Sequence, residues 1–501
     1  MPTLLDLLAS NPETRADAAI RAPGRTELTY PGLLAQVEGT GRALRGAGVS
    51  DGDRVAIVLP NGPPMASAFA CIAPWCAAAP LNPAYKADEF DFYLSDLDAT
   101  ALIVAAGDDT VARDVAARRG TRVIELLESD AAGAFTLDVG GEAAAAPPDA
   151  EAVALVLHTS GTTSRPKMVP LTQANLCASA RNIAHTLALG PSDVCLNVMP
   201  LFHIHGLMAP VLATLASGGS VYCTPGFDAL RFFSWLEDAD PTWYSAVPTM
   251  HQAVLARLPR NRDRAARTRL RFIRSASAAL PAQVMAALEE GFDAPVIEAY
   301  AMTEAAHQMC SNPLPPAPRK PGMVGPAAGP EVAVMDEAGG VVPAGTEGEI
   351  VIRGDNVMRG YLANPAADAT AFHGSWFRTG DLGYLDPDGY VKVTGRLKEI
   401  INRGGEKVAP LEVDDVLLDH PDVAQVCTFA LPHARLGEEV AAAVVRTPDG
   451  GIDEAALRAF AAERLADFKV PRTVVFVDEI PKGATGKIQR IGLARALGLA
   501  S

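Results

Sequence analysis

Short apolar runs bounded by turn residues alternate with helix-like stretches along most of the chain, the pattern of an α/β fold. Val55–Leu59 and Ala101–Ala105 read as strands, and Val153–His158 as a buried strand running straight into a loop of Gly, Thr and Ser. Gln173–Leu189 has helical character. Val194–Met199, Ser220–Cys223, Trp243–Val247, Leu270–Ser275 and Pro295–Ala299 continue the strand series. Pro281–Gly291 predicts a helix, with Pro in its first turn and Gly at its end. Ala143–Ala146 followed by Pro147-Pro148 reads as a linker, and residues 313–330, crowded with Pro and Gly, as a linking loop.

Beyond that loop the period changes to two. Glu331–Met335, Gly348–Arg353 and a hairpin over Tyr384–Val393, turning at Asp386-Pro387-Asp388-Gly389, predict a small antiparallel, β-barrel-like unit. The last stretch reads as a small α+β domain. Leu411–Leu418 is a helix, Val423–Ala430, Val440–Arg446 and Val474–Val477 are strands, and Asp453–Asp467 is a second helix. The stripe of that second helix runs through Leu457, Phe460, Ala461 and Leu465, with Arg464 lying along it on its aliphatic stem.

A chain of 501 residues, 49% of them hydrophobic, is too long for one core and predicts at least two domains. The net charge of −16, with no run of Lys or Arg, argues against nucleic acid or an anionic membrane as a partner. Seven cysteines without a CxxC pair read as buried free thiols rather than a zinc site. Val55–Tyr85 carries no charge, but Pro60, Pro63, Pro64, Pro74, Pro80 and Pro83 break it, which predicts a strand, turn and helix inside a globular domain, not a membrane span. The N-terminus lacks a basic, apolar leader and the C-terminus is not Ser-Lys-Leu, so a cytoplasmic location is the expectation.

The chemistry begins at Thr159-Ser160-Gly161-Thr162-Thr163-Ser164-Arg165-Pro166-Lys167. A strand delivers a Gly flanked by hydroxyls, followed by Pro and Lys. Backbone N–H groups and the hydroxyls of Ser160, Thr162 and Thr163 suit phosphate oxygens, and Lys167 adds a mobile charge. The GxxxxGK[ST] pattern is absent, so this is not a Walker loop. Taken alone, the segment also fits an ordinary polar turn.

Further segments follow in order: Pro200–Gly206 (PLFHIHG), Glu298–Glu304 (EAYAMTE), Trp376–Asp381 (WFRTGD), Gly395–Glu399 (GRLKE), Asn402–Lys407 (NRGGEK) and Pro481–Arg490 (PKGATGKIQR). Together with the loop they resemble the adenylate-forming superfamily of acyl-CoA synthetases, luciferases and peptide-synthetase adenylation domains. The resemblance implies an N-terminal adenylating domain over residues 1–396 and a mobile C-terminal domain over 397–501. It implies ATP, Mg²⁺ and coenzyme A as reactants.

On matching positions, the resemblance implies that Tyr300 stacks on adenine in a wall with Glu298, Ala299, Ser277, Ala278 and Ala279. Glu304 would hold Mg²⁺, Thr303 the α-phosphate, and Asp381 with Arg396 the ribose. Lys487 would bring its charge to the reacting carboxylate and α-phosphate, where negative charge accumulates. Lys398 falls at the hinge and Gly404 and Gly405 in the loop presented to the thiol in the second half-reaction. No carrier domain follows Ser501, which points to a free thiol.

Residues 158–167, 200–207, 242–252, 270–280, 298–315 and 401–410 resemble the oxalate–CoA ligase subfamily in particular, including Ser164 where most relatives have Gly. Oxalate carries a second carboxylate that must meet donors inside the pocket. His203, His205, Ser277 and His307 are the candidates. An aryl or medium-chain acyl-CoA synthetase and a nucleotide-binding regulator without turnover are the alternatives. Met168, where relatives have Gly, would be strained if its backbone needed a positive φ.

Overall fold

Strands rich in Val, Ile and Ala, buried on both faces, assemble into two sheets, each parallel in its middle and antiparallel at both edges. The computed structural model describes residues 2–10, 17–159, 166–481 and 488–500. The eight-stranded sheet runs in the order His307–Ser311, Val296–Met302, Phe272–Ala276, Trp243–Ala246, Val194–Asn197, Ser220–Cys223, Ala18–Arg21, Leu28–Thr29. The seven-stranded sheet runs Phe135–Asp138, Arg122–Glu128, Ala101–Ala105, Arg54–Val58, Ala77–Pro80, Val153–Thr159, Lys167–Thr172. Central strands covered on both faces read as nearly continuous apolar runs, which is why these were visible in the sequence.

The uncharged stretch folds as expected: strand Arg54–Val58, helix Pro63–Ile72, strand Ala77–Pro80. Every residue from Met65 to Ile72 is buried, and the helix touches Ala77–Pro80 of one sheet and Ala18–Arg21 and Ser220–Cys223 of the other. A helix that is apolar all round is one packed on all sides. Helix Gln173–Thr186 likewise touches strands of both sheets, begun by a capping box between Thr172 and Asn175. Among the described residues no helix is long and apolar enough to cross a membrane.

The chain divides into two compact units, one of Met1–Thr159, Pro166–Val332 and Ile352–Phe377, the other holding Ala333–Val351 and Arg378–Ser501. In the second unit, Asp381–Leu385, the end of strand Trp376–Leu385, pairs antiparallel with Val391–Arg396. Asp386 closes the turn by accepting from the N–H groups of Asp388 and Tyr390. A second sheet follows, ordered Glu406–Val408, Ile401–Arg403, Gly437–Arg446, Val423–His433, with Thr473–Phe476 parallel to Gly437–Arg446. Helices Pro410–Leu418 and Glu454–Ala462 pack on it through Val413, Leu417, Leu457 and Ala461. The second helix is shorter than its pattern predicted. It ends at Ala462, and the Arg464 guanidinium stacks 3.7 Å over the Phe460 ring instead of continuing the stripe.

The Pro/Gly-rich segment before this unit is not a free linker. It lies along the edge strand His307–Ser311: Ala328 N donates to Met309 O (2.8 Å), Ser311 N to Pro326 O (3.2 Å), and Asn312 Nδ2 to Met323 O (2.6 Å). A Cβ added at Gly325, whose φ is +86°, would stand 2.1 Å from the Ser311 carbonyl. Only glycine admits that approach.

Candidate active site

Thr159 and Lys167 face each other at the ends of an antiparallel strand pair. Ser160, Gly161, Thr162 and Thr163, with Ser164, lie outside the described residues, as does Lys487. Met168 is a strand residue opposite His158, with its side chain buried in the core. The strain a left-handed Met168 would carry therefore does not arise.

The Lys167 ammonium lies 4.2 Å over the ring of Tyr361, a cation–π contact. The Tyr361 hydroxyl donates to Glu304 Oε1 at 3.0 Å, and Glu304 is 7% exposed. Burial, and then the neighbouring Glu304 carboxylate, push the Tyr361 phenol well above its ordinary pKa, so it stays a donor. Lysine, ring and carboxylate thus form one continuous cluster.

The eight-stranded sheet gathers the next residues at the C-terminal ends of its parallel strands, where open α/β sheets bind ligands. Ala276 pairs in register with Ala299. The exposed Ser277, Ala278 and Ala279 therefore leave the sheet beside half-buried Tyr300. Thr303 and Glu304 open the short turn that follows. Glu298 is buried and its Oε2 accepts from Gly322 N at 3.1 Å, tying down the Pro/Gly-rich strap.

Three of the four acid-pocket candidates, His205, Ser277 and His307, are brought together. His205 Nδ1 is 3.0 Å from Ser277 Oγ, its Nε2 is 2.7 Å from Ser245 Oγ, and its ring stacks on His307 with centroids 4.9 Å apart. His203 caps the start of the same turn as His205, half-buried against Phe202. Ser277 (φ 75°), Ala306 (φ 47°) and His307 (φ 103°) all hold left-handed backbone without being glycine. Such conformations cost about 1–3 kcal/mol each and persist where surrounding structure fixes them.

Beneath this pocket lies Arg274, 0% exposed in the middle of its strand and in register with Ser245 of the next. Its Nη1 is 3.2 Å from His307 Nε2 and 3.4 Å from Ser245 Oγ, and its Nη2 is 3.2 Å from Gln308 Oε1. Burial lowers its pKa to about 10, so it remains charged at neutral pH.

In the smaller unit, Asp381 and Arg396 sit opposite each other in the hairpin, with Arg396 Nε donating to Asp381 Oδ1 at 2.7 Å. Asp381 is 4% exposed. Lys398 is exposed in the short turn Leu397–Glu399. Gly404 (φ 62°) and Gly405 (φ 103°) form the exposed tip between Ile401–Arg403 and Glu406–Val408, where two successive left-handed residues are needed. Arg490, three residues after Lys487, bonds Glu399 (3.0 Å) and Asp414 (2.6 Å), anchoring the end of that segment beside Lys398.

Tyr361, Ser245, Arg274 and Gln308 were not singled out in the sequence. For Arg274 a signal existed: one Arg inside a parallel-sheet strand has no solvent face to point to. Tyr361 had none, because it lies far along the chain from every motif it serves. All seven cysteines are buried, with burial pushing most thiols to about 12 or above. Among the described residues no group of three or more His, Cys, Asp or Glu could hold a metal ion.

Residues 8–362 match the family model described as AMP-binding enzyme, and residues 412–487 that of the AMP-binding enzyme C-terminal domain. The chain is similar to an oxalate–CoA ligase of Arabidopsis thaliana, 44% identical over 94% of each chain. It is similar to a sulfoacetate–CoA ligase of Cupriavidus necator, 37% identical over 93% of this chain and 92% of the other. The crystal structure of ATP-bound MatB from Rhodopseudomonas palustris superposes with a TM-score of 0.90 at 29% identity over 99% of both chains.

Proposed function

Because the chain belongs to the AMP-binding enzyme family, we propose that it joins oxalate to coenzyme A while ATP is cleaved to AMP and diphosphate. The coarser activity, an AMP-forming acid–CoA ligase, is that of the family and its relatives. The oxalate reading rests on one observation above the others: the acid side of the cleft is a wall of polar donors, His205, Ser277 and His307, backed by a buried guanidinium. An apolar acid would take water from the exposed Ser277 hydroxyl without replacing its hydrogen bonds, which is costly. A small acid with a second anionic group replaces them.

In the first half-reaction a carboxylate oxygen bonds to the α-phosphorus and the bond to diphosphate breaks. Negative charge gathers on the phosphoryl oxygens, and Lys487 supplies the opposing charge. Glu304 is a hard oxygen donor oriented by Tyr361, which suits Mg²⁺, and that ion when bound supplies charge stabilisation at the phosphates. Tyr300 holds the base, and Asp381 with Arg396 the ribose. In the second half-reaction the coenzyme A sulfur attacks the acyl carbonyl and the bond to AMP breaks. Lys398 and the Gly404-Gly405 tip serve that step.

The test is AMP formation with coenzyme A and a panel of oxalate, glycolate, malonate, acetate, hexanoate and 4-coumarate. Oxalate is expected to have the highest kcat/KM. No turnover of oxalate together with turnover of a monocarboxylate overturns the substrate; AMP binding without diphosphate release overturns the enzyme.

A further inference from the structure

We propose that Arg274, buried beneath the pocket, is a positioning residue that makes the enzyme prefer acids carrying a second anionic group, acting through His307 and His205. The proposal rests on the reading of the acid pocket given above.

Arg274 sits where a charge is expensive. It is wholly buried, and no carboxylate among the described residues pairs with it. Its partners are a serine, a histidine and a glutamine, all neutral acceptors. A buried ion without a counter-ion is costly unless something offsets it. A guanidinium is also only ever a donor.

Two relays follow from that one-way donation. His307 Nε2 accepts from Arg274, so the proton of the neutral imidazole is on Nδ1. A cation 3.2 Å away also disfavours a second charge on that ring. On the other branch, Ser245 Oγ accepts from Arg274 and lies 2.7 Å from His205 Nε2. Its hydroxyl donated to Nε2 leaves the His205 Nδ1–H facing Ser277 Oγ, which in turn leaves the exposed Ser277 hydroxyl as the outermost donor. Both relays start from the same cation and each link is polarised by the one behind it; the His205 branch reaches the exposed Ser277, while the His307 ring stays buried and stacks on His205. The exposed Ser277 hydroxyl is thus an oriented donor backed, through His205 and Ser245, by a positive charge. A second carboxylate or a sulfonate is the ligand that rewards this arrangement. A neutral group of the same shape is not.

The experiment compares oxalate with oxamate, which replaces one carboxylate by a neutral amide of nearly equal size. Steady-state diphosphate release is measured for the full-length wild type and for Arg274→Met, Arg274→Lys and Ser245→Ala. The wild type should favour oxalate. Arg274→Met should lose roughly 10²-fold in kcat/KM for oxalate, chiefly through KM, with oxamate changed by less than about 3-fold. Arg274→Lys should recover most of the oxalate loss, and Ser245→Ala should shift the ratio in the same direction by a smaller factor. Equal losses for both acids in Arg274→Met, or no recovery with Lys, overturn the proposal and leave Arg274 as a pin between strands. If Arg274→Met does not fold, an unchanged oxalate-to-oxamate ratio in Arg274→Lys and Ser245→Ala overturns it instead. A wild type without preference for oxalate overturns both this proposal and the substrate reading, and that result is read from the wild type alone.

Discussion

Replacing Tyr361 by Phe removes one oxygen from the cluster that joins Lys167 to Glu304. The ring stays, so the cation–π contact with Lys167 at 4.2 Å is preserved. What is lost is the 3.0 Å hydrogen bond to a carboxylate that is 7% exposed. A hydrogen bond to a charged group contributes about 1.5–3 kcal/mol. At about 1.4 kcal/mol per factor of ten, this predicts a fall of roughly 10- to 100-fold in kcat/KM for ATP. The assay is ATP–diphosphate exchange at varied ATP with the acid saturating. Thioester formation from preformed acyl-adenylate should be unaffected. Because the hydroxyl acts only through Glu304, Tyr361→Phe in a Glu304→Gln background should cost almost nothing further. Strict additivity of the two substitutions, or a single-variant loss under 2-fold, would refute this account of how Glu304 is held.

Lys487→Ala should lower adenylation by roughly 10²-fold or more while sparing the thioester step from preformed adenylate; equal losses in the two steps would disprove its assignment. Lys398→Pro should do the opposite, and a normal second step would remove it from the hinge. Burial holds the His251 imidazole down at about 4, below its ordinary 6.5, so the unfolded chain takes up a proton that the native protein does not. Stability is therefore lost as pH falls through that interval, by about 1.4 kcal/mol per pH unit and about 3 kcal/mol in all. Urea unfolding of His251→Gln should show a slope shallower by that amount between pH 6 and 4.5; identical slopes would be the contrary result. Gly325→Ala should destabilise the larger unit by at least about 3 kcal/mol, whereas Gly345→Ala, with a φ of +84° but no atom within 4 Å of its added Cβ, should cost only about 1–2 kcal/mol. Denaturant midpoints of the two variants decide the point.

Strands such as Ala101–Ala105, Ser220–Cys223 and Glu331–Met335 were legible to the residue because β-branched or small apolar runs end there at turn formers. The segments bearing His205, Ser277 and His307 were legible as motifs, but that they converge is a fact of strand register. Composition misled at residues 313–330. Pro and Gly usually mean a loop free of its surroundings, whereas here Gly325 lets the strap touch the backbone of Ser311. The hairpin was recognised by its Asp-Pro-Asp-Gly turn, yet its first strand begins at Trp376, in a stretch broken by Gly380. Arg274 escaped notice because a lone Arg between Ile273 and Ser275 looks like the solvent side of an alternating strand until the strand is read as the inside of a parallel sheet, whose second covered face makes it a buried charge.

Helix Pro63–Ile72 has a consequence for how the protein is made. Its packing partners include Ala18–Arg21, synthesised before it, and Ser220–Cys223, which pairs with Ala18–Arg21 through Ile20 and Val221. At ribosomal rates of about 5–20 residues per second, Val221 follows Ile72, the end of the helix, by roughly 7–30 s. For that interval the ribosome carries an uncharged, largely apolar segment, one of whose final neighbours does not yet exist. Topologies that close so late along the chain fold slowly and expose such surface meanwhile. A holding chaperone over this window is therefore expected to raise the yield on expression, which should track chaperone supply more closely than it tracks the stability of the finished enzyme.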